Sequence, residues 1–233
     1  MLHLYSAMSP TVFKVLIALE ELGLDFENHP TNVAAGEQLR PEVLKVTPNG
    51  RIPALLDTKP ADGGEPITVF ESGAILIYLG EKHGKLMPTN ARQRTEVVQW
   101  IMWQMAGLGP TMGHARHFRH YAKEPVPYAI DRFTKEATRL FSVLDARLQG
   151  REWICDEYSM ADICCWPWLL YSTSNGQRME KFPDLLRWFK AFGERPAVKR
   201  VAARWWQGQP IEDAYPVPEE IRNILFHRTS NKL

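Results

Sequence analysis

The stretch that decides the fold is residues 49–56, Asn49-Gly50-Arg51-Ile52-Pro53-Ala54-Leu55-Leu56. Asn-Gly is a strong turn signal, and the apolar run behind it has the composition of a short strand. A proline that opens a strand after a tight turn stands where a cis peptide bond is tolerated. The residues alone leave two interpretations open. The proline is an ordinary trans strand start, or a cis Ile52–Pro53 bond leaves the Ile52 backbone free to pair with an extended ligand.

The sequence around this stretch alternates between strand and helix patterns. Apolar side chains recur at i, i+3, i+4 and i+7 in the helical segments and in short runs in the strands. The order is β-α-β-α-β-β-α, which predicts an α/β domain over residues 1–86. The predicted strands are residues 2–5, 25–31, 52–56 and 67–70, and the predicted helices are residues 11–24, 41–46 and 71–83.

The pattern changes after Gly84-Lys85-Leu86-Met87-Pro88, where almost no strand signal remains. We predict an all-helical domain over residues 91–207 and a separate tail over 208–233. Ser159 and Asp162 have the spacing of a helix-capping box, in which each side chain accepts a hydrogen bond from a free backbone N–H. The other predicted helices are residues 93–105, 133–148, 183–192 and 197–206.

Composition excludes several functional classes. Lys and Arg number 28 against 27 Asp and Glu, so the net charge of +1 argues against a nucleic-acid partner. No apolar run is long enough for a membrane span and no leader pattern is present, so we expect no membrane partner. The three cysteines show no framework spacing, which predicts a reducing, cytoplasmic location. Cys164 and Cys165 lie in an apolar run and are interpreted as core thiols.

The first candidate site is the loop Ser9-Pro10-Thr11, which places two hydroxyls at the start of the first helix. Free N–H groups and the helix dipole stabilise an anion there, and a thiolate held at this point would have a lowered pKa. The alternative is that Ser9 only caps the helix, with Pro10 at its first position.

The second candidate is Phe70-Glu71-Ser72-Gly73, at a junction between strand and helix. Ser72 and the adjacent N–H groups could bind a ligand carboxylate, and Glu71 could hold a ligand ammonium group. The alternative is an ordinary helix cap.

Two further groups are interpreted as structural. His114, His117 and His120 are interleaved with arginines that would repel a divalent cation, so we read them as a solvated basic face and predict no metal site. The tryptophans of the second half are expected in the core; they are Trp100, Trp103, Trp166 and Trp168.

Taken together, the three junctions around Ser9, Ile52 and Glu71 and the capping box resemble the cytosolic glutathione transferase superfamily over about residues 1–206. The resemblance implies a thioredoxin-like N-terminal domain with cis-Pro53, a helical C-terminal domain and a homodimer. Residues 61–66, 104–110 and 127–132 look like the nu-class bacterial enzymes, known as glutathione-dependent disulfide-bond oxidoreductases. Those enzymes use bound glutathione, reduced or oxidised, in place of a protein cysteine.

The resemblance also implies roles for individual residues. Glu71 and Ser72 would hold the γ-glutamyl end of glutathione, and the Ile52 backbone would pair with its cysteinyl part. Ser9 and Thr11 would lie near the sulfur, where the nearest relatives often show Thr and Asn, so which group activates the thiol stays open. The residues implied at the polar ends are Gln38 and Arg51 for the first tripeptide and Arg132 for a second glutathione carboxylate.

Three functions follow as hypotheses. The first is glutathione-dependent disulfide reduction, with small-molecule disulfides as substrates and organic hydroperoxides as side substrates. The second is conjugation of glutathione to an electrophilic carbon. The third is a non-catalytic glutathione-binding regulator, since a fold does not fix a function.

Overall fold

The computed structural model describes residues 1–206, and residues 207–233, including the predicted tail, lie outside the described part. The N-terminal half has the predicted β-α-β-α-β-β-α order, with two 3₁₀ turns, Val33–Ala35 and Glu37–Leu39, before the second helix. Its strands are β1 (Leu2–Ser6), β2 (Phe26–Pro30), β3 (Ala54–Asp57) and β4 (Ile67–Phe70), and its helices are α1 (Pro10–Leu22), α2 (Pro41–Leu44) and α3 (Ser72–His83).

The four strands form one sheet in the order β2-β1-β3-β4. β1 pairs with β2 in parallel, whereas β1–β3 and β3–β4 are antiparallel. Alternate residues of β1 are buried, because Leu2 and Leu4 join the apolar core while His3 and Tyr5 point to the opposite face.

Local signals fix both ends of α1. The Ser9 hydroxyl accepts a hydrogen bond from the backbone N–H of Val12, and Pro10 occupies the first turn. Gly23 ends the helix with φ 66°, a left-handed conformation that glycine adopts without steric cost. The loop before α1 and the direction of its N-terminus are therefore set by a few adjacent residues.

The regular elements of the second half are all helices in the part that the structure describes. Ser159 and Asp162 form the predicted capping box at the start of the helix that begins at Met160. π-helical turns follow three of the helices, at Gln104–Leu108, His117–Tyr121 and Ala202–Trp206. The helices are α4 (Ala91–Trp103), α5 (Gly109–Arg116), α6 (Pro127–Leu148), α7 (Met160–Leu169), α8 (Pro183–Gly193) and α9 (Pro196–Val201).

One apolar core joins the two halves, because α1 packs against α3 of its own half and against α7 and α9 of the helical half. The predicted fold class, α/β followed by all-α, is confirmed; the boundary between residues 86 and 91 stays a prediction. Within residues 1–206, no helix combines the length and apolar character that a membrane crossing needs.

Several predicted bounds were wrong. The third strand begins at Ala54 rather than Ile52, because Pro53 has no N–H to donate to a ladder; the bond between Ile52 and Pro53 is cis. The helix predicted over 133–148 starts six residues earlier, at Pro127, which occupies its first turn. The helix predicted over 197–206 ends at Val201 and continues as a π-helical turn.

Candidate functional site

The site begins at the N-terminus of α1, where two hydroxyls lie side by side. Ser9 Oγ and Thr11 Oγ1 are 2.9 Å apart. Ser9 Oγ also accepts from Val12 N at 3.3 Å, and Thr11 Oγ1 donates a long bond of 3.5 Å to the carbonyl oxygen of Ile52. Ser9 therefore caps the helix and orients Thr11, and Thr11 is the hydroxyl of the two that faces the Ile52–Pro53 segment.

The loop that carries Ile52 is held by its own turn. Gly50 has φ 57° and donates its N–H to the Thr47 carbonyl at 2.9 Å. The buried Thr47 hydroxyl donates to the carbonyl of Arg51 at 3.0 Å. The Ile52–Pro53 bond that follows is cis, as the resemblance implied. The backbone of Ile52 thus lies outside the β-ladder and beside Thr11.

Glu71 and Ser72 lie at the junction of β4 and α3. Glu71 is exposed and has φ 72° and ψ 118°, a conformation that costs a residue with a Cβ of order 1–3 kcal/mol. Its side chain makes no capping bond to α3, so the positive end of that helix stays available to an anion. Ser72 is buried with its hydroxyl in contact with Lys14 and Met105.

These three junctions meet around two adjoining cavities. The first has a volume of about 300 Å³ and contains the Ile52–Pro53 and Glu71–Ser72 segments in its wall. The second, of about 460 Å³, lies between the halves and is lined by parts of α1, α5 and α7. The residues common to both walls are Thr11, Arg51 and Met105.

Three of the predicted site residues are absent from the walls of both cavities: Ser9, which contacts the wall residue Thr11, and Gln38 and Arg132. Gln38 is 1% exposed, donates from Nε2 to the Val33 carbonyl at 3.3 Å, and lines neither cavity. Arg132 is an exposed residue of α6 and also lines neither. Its neighbour Phe133 has its ring 4.9 Å from His114, which does line the second cavity.

The most informative residue that sequence reasoning missed is Lys14. Its side chain is 1% exposed, and Nζ contacts Ser72 Oγ at 3.3 Å, Gln104 Oε1 at 2.5 Å and Met105 Sδ at 3.4 Å. A signal was available, because α1 is apolar on almost every side and a lysine buried in such a helix requires polar partners. The same argument applies to Gln104, since a side-chain amide buried in the core also needs a hydrogen-bond partner.

Two buried donors border the second cavity. Gln104 Nε2 and Trp168 Nε1 have no acceptor among the described residues, and both residues line this cavity. Trp168 packs against the apolar core, as expected, and it also lines the second cavity, which the sequence did not predict. His114 and His117 also line this cavity; His114 is exposed, and His117 and His120 are half-buried.

The three cysteines are buried in the helical half. Burial raises the pKa of Cys155 to about 12 and that of Cys165 well above its ordinary value. Burial also raises the pKa of Cys164, although Lys14 opposes this shift, and its Sγ donates to Gln104 Oε1 at 3.2 Å. All three thiols are held in the protonated form, which is a poor nucleophile.

Comparisons with known proteins agree with this geometry. Family models described as "Glutathione S-transferase, N-terminal domain" and "Glutathione S-transferase, C-terminal domain" match residues 1–81 and 127–191. The disulfide-bond oxidoreductase YfcG of Escherichia coli K12 is 41% identical over 215 residues, which cover 92% of this chain and 100% of the relative.

Two crystal structures are similar over most of the chain. A glutathione transferase from Burkholderia graminis, with two glutathione molecules bound per subunit, has a TM-score of 0.83 at 41% identity and 89% coverage of both chains. One from Pseudomonas putida, with one glutathione disulfide bound per subunit, has a TM-score of 0.80 at 39% identity, covering 85% of this chain and 89% of the other.

Proposed function

Because this chain belongs to the glutathione S-transferase family, we propose that it reduces disulfide bonds with glutathione as the source of the thiol. The observation that carries the proposal is the contrast between its cysteines and its cavities. All three thiols are buried and held protonated, whereas the wall of the first cavity includes Thr11, whose hydroxyl lies at a helix N-terminus beside that of Ser9. The relatives that bind two glutathione molecules or one glutathione disulfide per subunit support two tripeptide positions.

The reaction balances with glutathione as co-substrate. A glutathione thiolate attacks one sulfur of the substrate disulfide, forms a mixed disulfide and releases the other half as a thiolate. A second glutathione thiolate attacks the glutathione sulfur of the mixed disulfide and releases the remaining half. Two glutathiones are oxidised to one glutathione disulfide, the substrate is reduced to two thiols, and the protons of the two glutathione thiols end on the products.

The first cavity suits an extended peptide with a zwitterionic end. The Glu71 carboxylate would accept from the α-ammonium group, while Ser72 and the N–H groups at the start of α3 would donate to the α-carboxylate. The Ile52 backbone, which precedes β3 and lines the first cavity, would pair with the cysteinyl unit as an added strand does. Arg51 lines both cavities and would meet a carboxylate at the other end.

Two residues beyond the cavity walls have proposed roles at the polar ends of the ligands. Gln38 has a buried Oε1 without a partner among the described residues and would accept a hydrogen bond from the first tripeptide. Arg132, exposed beside Phe133, would meet a carboxylate of the second glutathione through its planar fork.

Thiol activation falls to the N-terminus of α1. Ser9 already accepts from Val12 N, so its remaining hydrogen-bonding capacity is directed at Thr11. Thr11 lines both cavities. Its hydroxyl would donate a hydrogen bond to the glutathione sulfur in place of its long hydrogen bond to the Ile52 carbonyl. A hydrogen bond to the thiolate, added to the helix dipole, lowers the pKa of the bound thiol.

Lys14 is proposed as a positioning residue. It lies in α1 one turn after Thr11. Its Nζ donates hydrogen bonds to the Ser72 hydroxyl and to Gln104 Oε1 of the helical half. One buried side chain thus ties together the first cavity, the second cavity and the helix that carries Thr11.

A second candidate activity is conjugation of glutathione to an electrophilic carbon. The wall of the second cavity includes Met105, Pro110 and Trp168, which would accept an apolar substrate. Reduction of organic hydroperoxides is a further side activity of the same bound thiols.

We also propose a cytoplasmic homodimer. Buried free thiols suit a reducing compartment. β4 is an edge strand whose Ile67 and Phe70 are 41% and 39% exposed, a surface that a second copy would cover.

The deciding experiment compares rates of glutathione-dependent reduction of hydroxyethyl disulfide and conjugation of a halonitrobenzene. The wild type is measured beside a variant that carries Cys155→Ala, Cys164→Ala and Cys165→Ala. We expect disulfide reduction to dominate and to persist in the variant. Loss of turnover in a folded triple variant would make a protein thiol part of the reaction and overturn the scheme.

A second measurement covers the case in which the triple variant does not fold. Native wild type is treated with iodoacetamide, and the cysteines are checked by mass spectrometry. Unmodified cysteines with full activity support the proposal. Modification of any cysteine with parallel loss of turnover contradicts it.

A further inference from the structure

A cluster of metal-ligating side chains lies away from the two cavities, on the face of the sheet opposite its apolar core. His3 of β1 stands directly across from Glu27 of β2, and His29 follows two residues later on the same face. Within residues 1–206, this is the one group of three such residues whose ligand atoms all lie within 4.8 Å of one another. None of the three lines the cavities described above.

The donor atoms are spaced much as they are around a bound ion, with Glu27 approaching each histidine through a different carboxylate oxygen. His3 Nδ1 lies 3.1 Å from His29 Nε2 and 3.3 Å from Glu27 Oε2, and His29 Nε2 lies 3.5 Å from Glu27 Oε1. Two ligands of a tetrahedral zinc ion, each at about 2.0–2.1 Å from the metal, are about 3.3 Å apart. We propose that His3, Glu27 and His29 bind a divalent transition-metal ion, with zinc as the best match to two imidazoles and a carboxylate.

The site is built before the ion arrives. Parallel pairing of β1 with β2 fixes His3 opposite Glu27 and Tyr5 opposite His29. The His29 ring stacks on Tyr5, with centroids 4.9 Å apart and planes at 18°, and on His3 at 5.4 Å and 29°. Rings held in this way lose little rotamer freedom when they bind a metal, and this favours affinity.

Exposure leaves a path for the ion. The side chains of His3, His29 and Glu27 are 21%, 34% and 59% exposed. Three protein ligands on an open surface leave the fourth tetrahedral position to water, the arrangement found in zinc sites that are not closed. A bound ion would link an edge strand to the centre of the sheet, so its chemical effect here is to stabilise the β1–β2 pair.

The alternative is a hydrogen-bonded cluster without a metal. A single N–H···N bond explains the contact between His3 and His29 at 3.1 Å. It does not require Glu27 to approach both rings, although its carboxylate reaches each of them within 3.5 Å. A metal ion requires all three groups to lie close together. The two explanations predict different effects of added zinc.

The test is zinc titration of the chelator-treated full chain by calorimetry, together with its thermal unfolding with and without zinc. His29→Gln and Glu27→Gln remove one ligand each, and His114→Gln is the matched control from the second histidine cluster. We expect one zinc ion per chain, affinity at least about tenfold weaker in both ligand variants and unchanged in the control. Zinc should raise the unfolding temperature of the wild type but not of His29→Gln.

Two results would overturn the site. One is a wild type that shows no saturable zinc binding at millimolar concentrations. The other is zinc binding of equal affinity in the wild type, His29→Gln and Glu27→Gln. In that case His29→Gln would also lower the unfolding temperature by the same amount with and without zinc. The second result would assign the cluster to hydrogen bonding alone. Neither outcome bears on disulfide reduction, which uses other residues.

Discussion

Lys14 Nζ lies 3.3 Å from Ser72 Oγ in the buried space between α1 and α3, although 58 residues separate the two in sequence. The same amine binds Gln104 Oε1 of the helical half at 2.5 Å. Lys14 is thus the point at which the helix bearing Thr11, the helix bearing Ser72 and the second cavity meet.

Replacing Lys14 by methionine should impair both the fold and the site. The methionine fills similar space but leaves Gln104 Oε1 with only the weak Cys164 thiol as donor, which costs about 1–3 kcal/mol of unfolding free energy. Because Ser72 loses its anchor, the KM for glutathione should rise more than kcat falls. The measurements are urea unfolding and steady-state kinetics. Ser72→Ala is the comparison: if Lys14 only stabilises the core, Lys14→Met will lower stability and leave KM for glutathione unchanged.

Thr11→Ala should lower turnover by at least about tenfold, because a hydrogen bond to a charged group contributes about 1.5–3 kcal/mol. The affinity for glutathione should change less, since Thr11 is proposed to act on the thiolate rather than on the peptide. Thr11→Ser keeps the hydroxyl and should retain most of the turnover. Kinetics and calorimetry of both variants test this, and equal rates for Thr11→Ala and wild type would exclude Thr11 from the reaction.

Glu71→Gly should make the protein more stable and less able to bind glutathione. Glycine adopts φ 72° without the strain of about 1–3 kcal/mol that glutamate bears, but it removes the carboxylate proposed for the ligand ammonium group. Glu71→Gln keeps the strain and loses the charge, so it should weaken binding without the gain in stability. Thermal unfolding and calorimetric titration separate the two effects. A Glu71→Gly variant that binds glutathione normally would remove the proposed role of this carboxylate.

Gly73→Ala tests the close approach of α3 to the helical half. A Cβ at this position would lie 2.8 Å from Met105 Cγ and 3.2 Å from Ile101 Cγ2, so the Met105 side chain must move. Met105 lines both cavities, and we expect a loss of about 1–3 kcal/mol in stability together with weaker glutathione binding.

Gly107→Ala is the matched control, because its Cβ would meet only Leu140 Cδ2 at an ordinary distance of 3.8 Å. Unfolding and binding measured on both variants should differ sharply. A Gly73→Ala variant as stable as Gly107→Ala and equally able to bind glutathione would contradict this prediction. It would show that the Met105 side chain can move without loss of stability or of glutathione binding.

Sequence patterns were sufficient for the architecture because its determinants are local. The Ser9 cap, the Asn49-Gly50 turn and the Ser159–Asp162 capping box each specify an element through residues a few positions apart. Glu71 and Ser72 could be singled out because a strand-to-helix junction can be recognised from a few adjacent residues.

The rest of the site depends on contacts that no short spacing encodes. Lys14, Gln104 and Trp168 come from α1, a π-helical turn and α7, and they meet only when the two halves pack. His3 and Glu27 become neighbours only through the parallel register of β1 and β2. In each case the missing information was which strand or helix lies beside which.

Asp57 gives a prediction about pH. Its buried carboxylate accepts from Tyr78 Oη at 2.7 Å, from Lys59 N at 2.9 Å and from Lys82 Nζ, and so ties α3 to the end of β3. Burial alone would raise the pKa of Asp57, but the bonds from Lys82, Tyr78 and the Lys59 amide outweigh it and hold the pKa below the ordinary value of 3.8. A lowered pKa means that the carboxylate contributes its full stability above pH 3.8 and loses it as the pH falls through the folded value.

Asp57→Asn should therefore reduce the unfolding free energy by about 3 kcal/mol at neutral pH, since it leaves Lys82 without its buried partner. That deficit should stay constant down to about pH 4.5 and narrow below it, because only the wild type still has a carboxylate to protonate. Urea unfolding from pH 7 into the acid range measures the difference, with the exposed Asp25→Asn as the control that should show almost none. If the stability difference between wild type and Asp57→Asn widens on acidification, the pKa of Asp57 is raised rather than lowered in the folded protein. The bonds from Tyr78, Lys59 and Lys82 would then not explain how Asp57 holds α3.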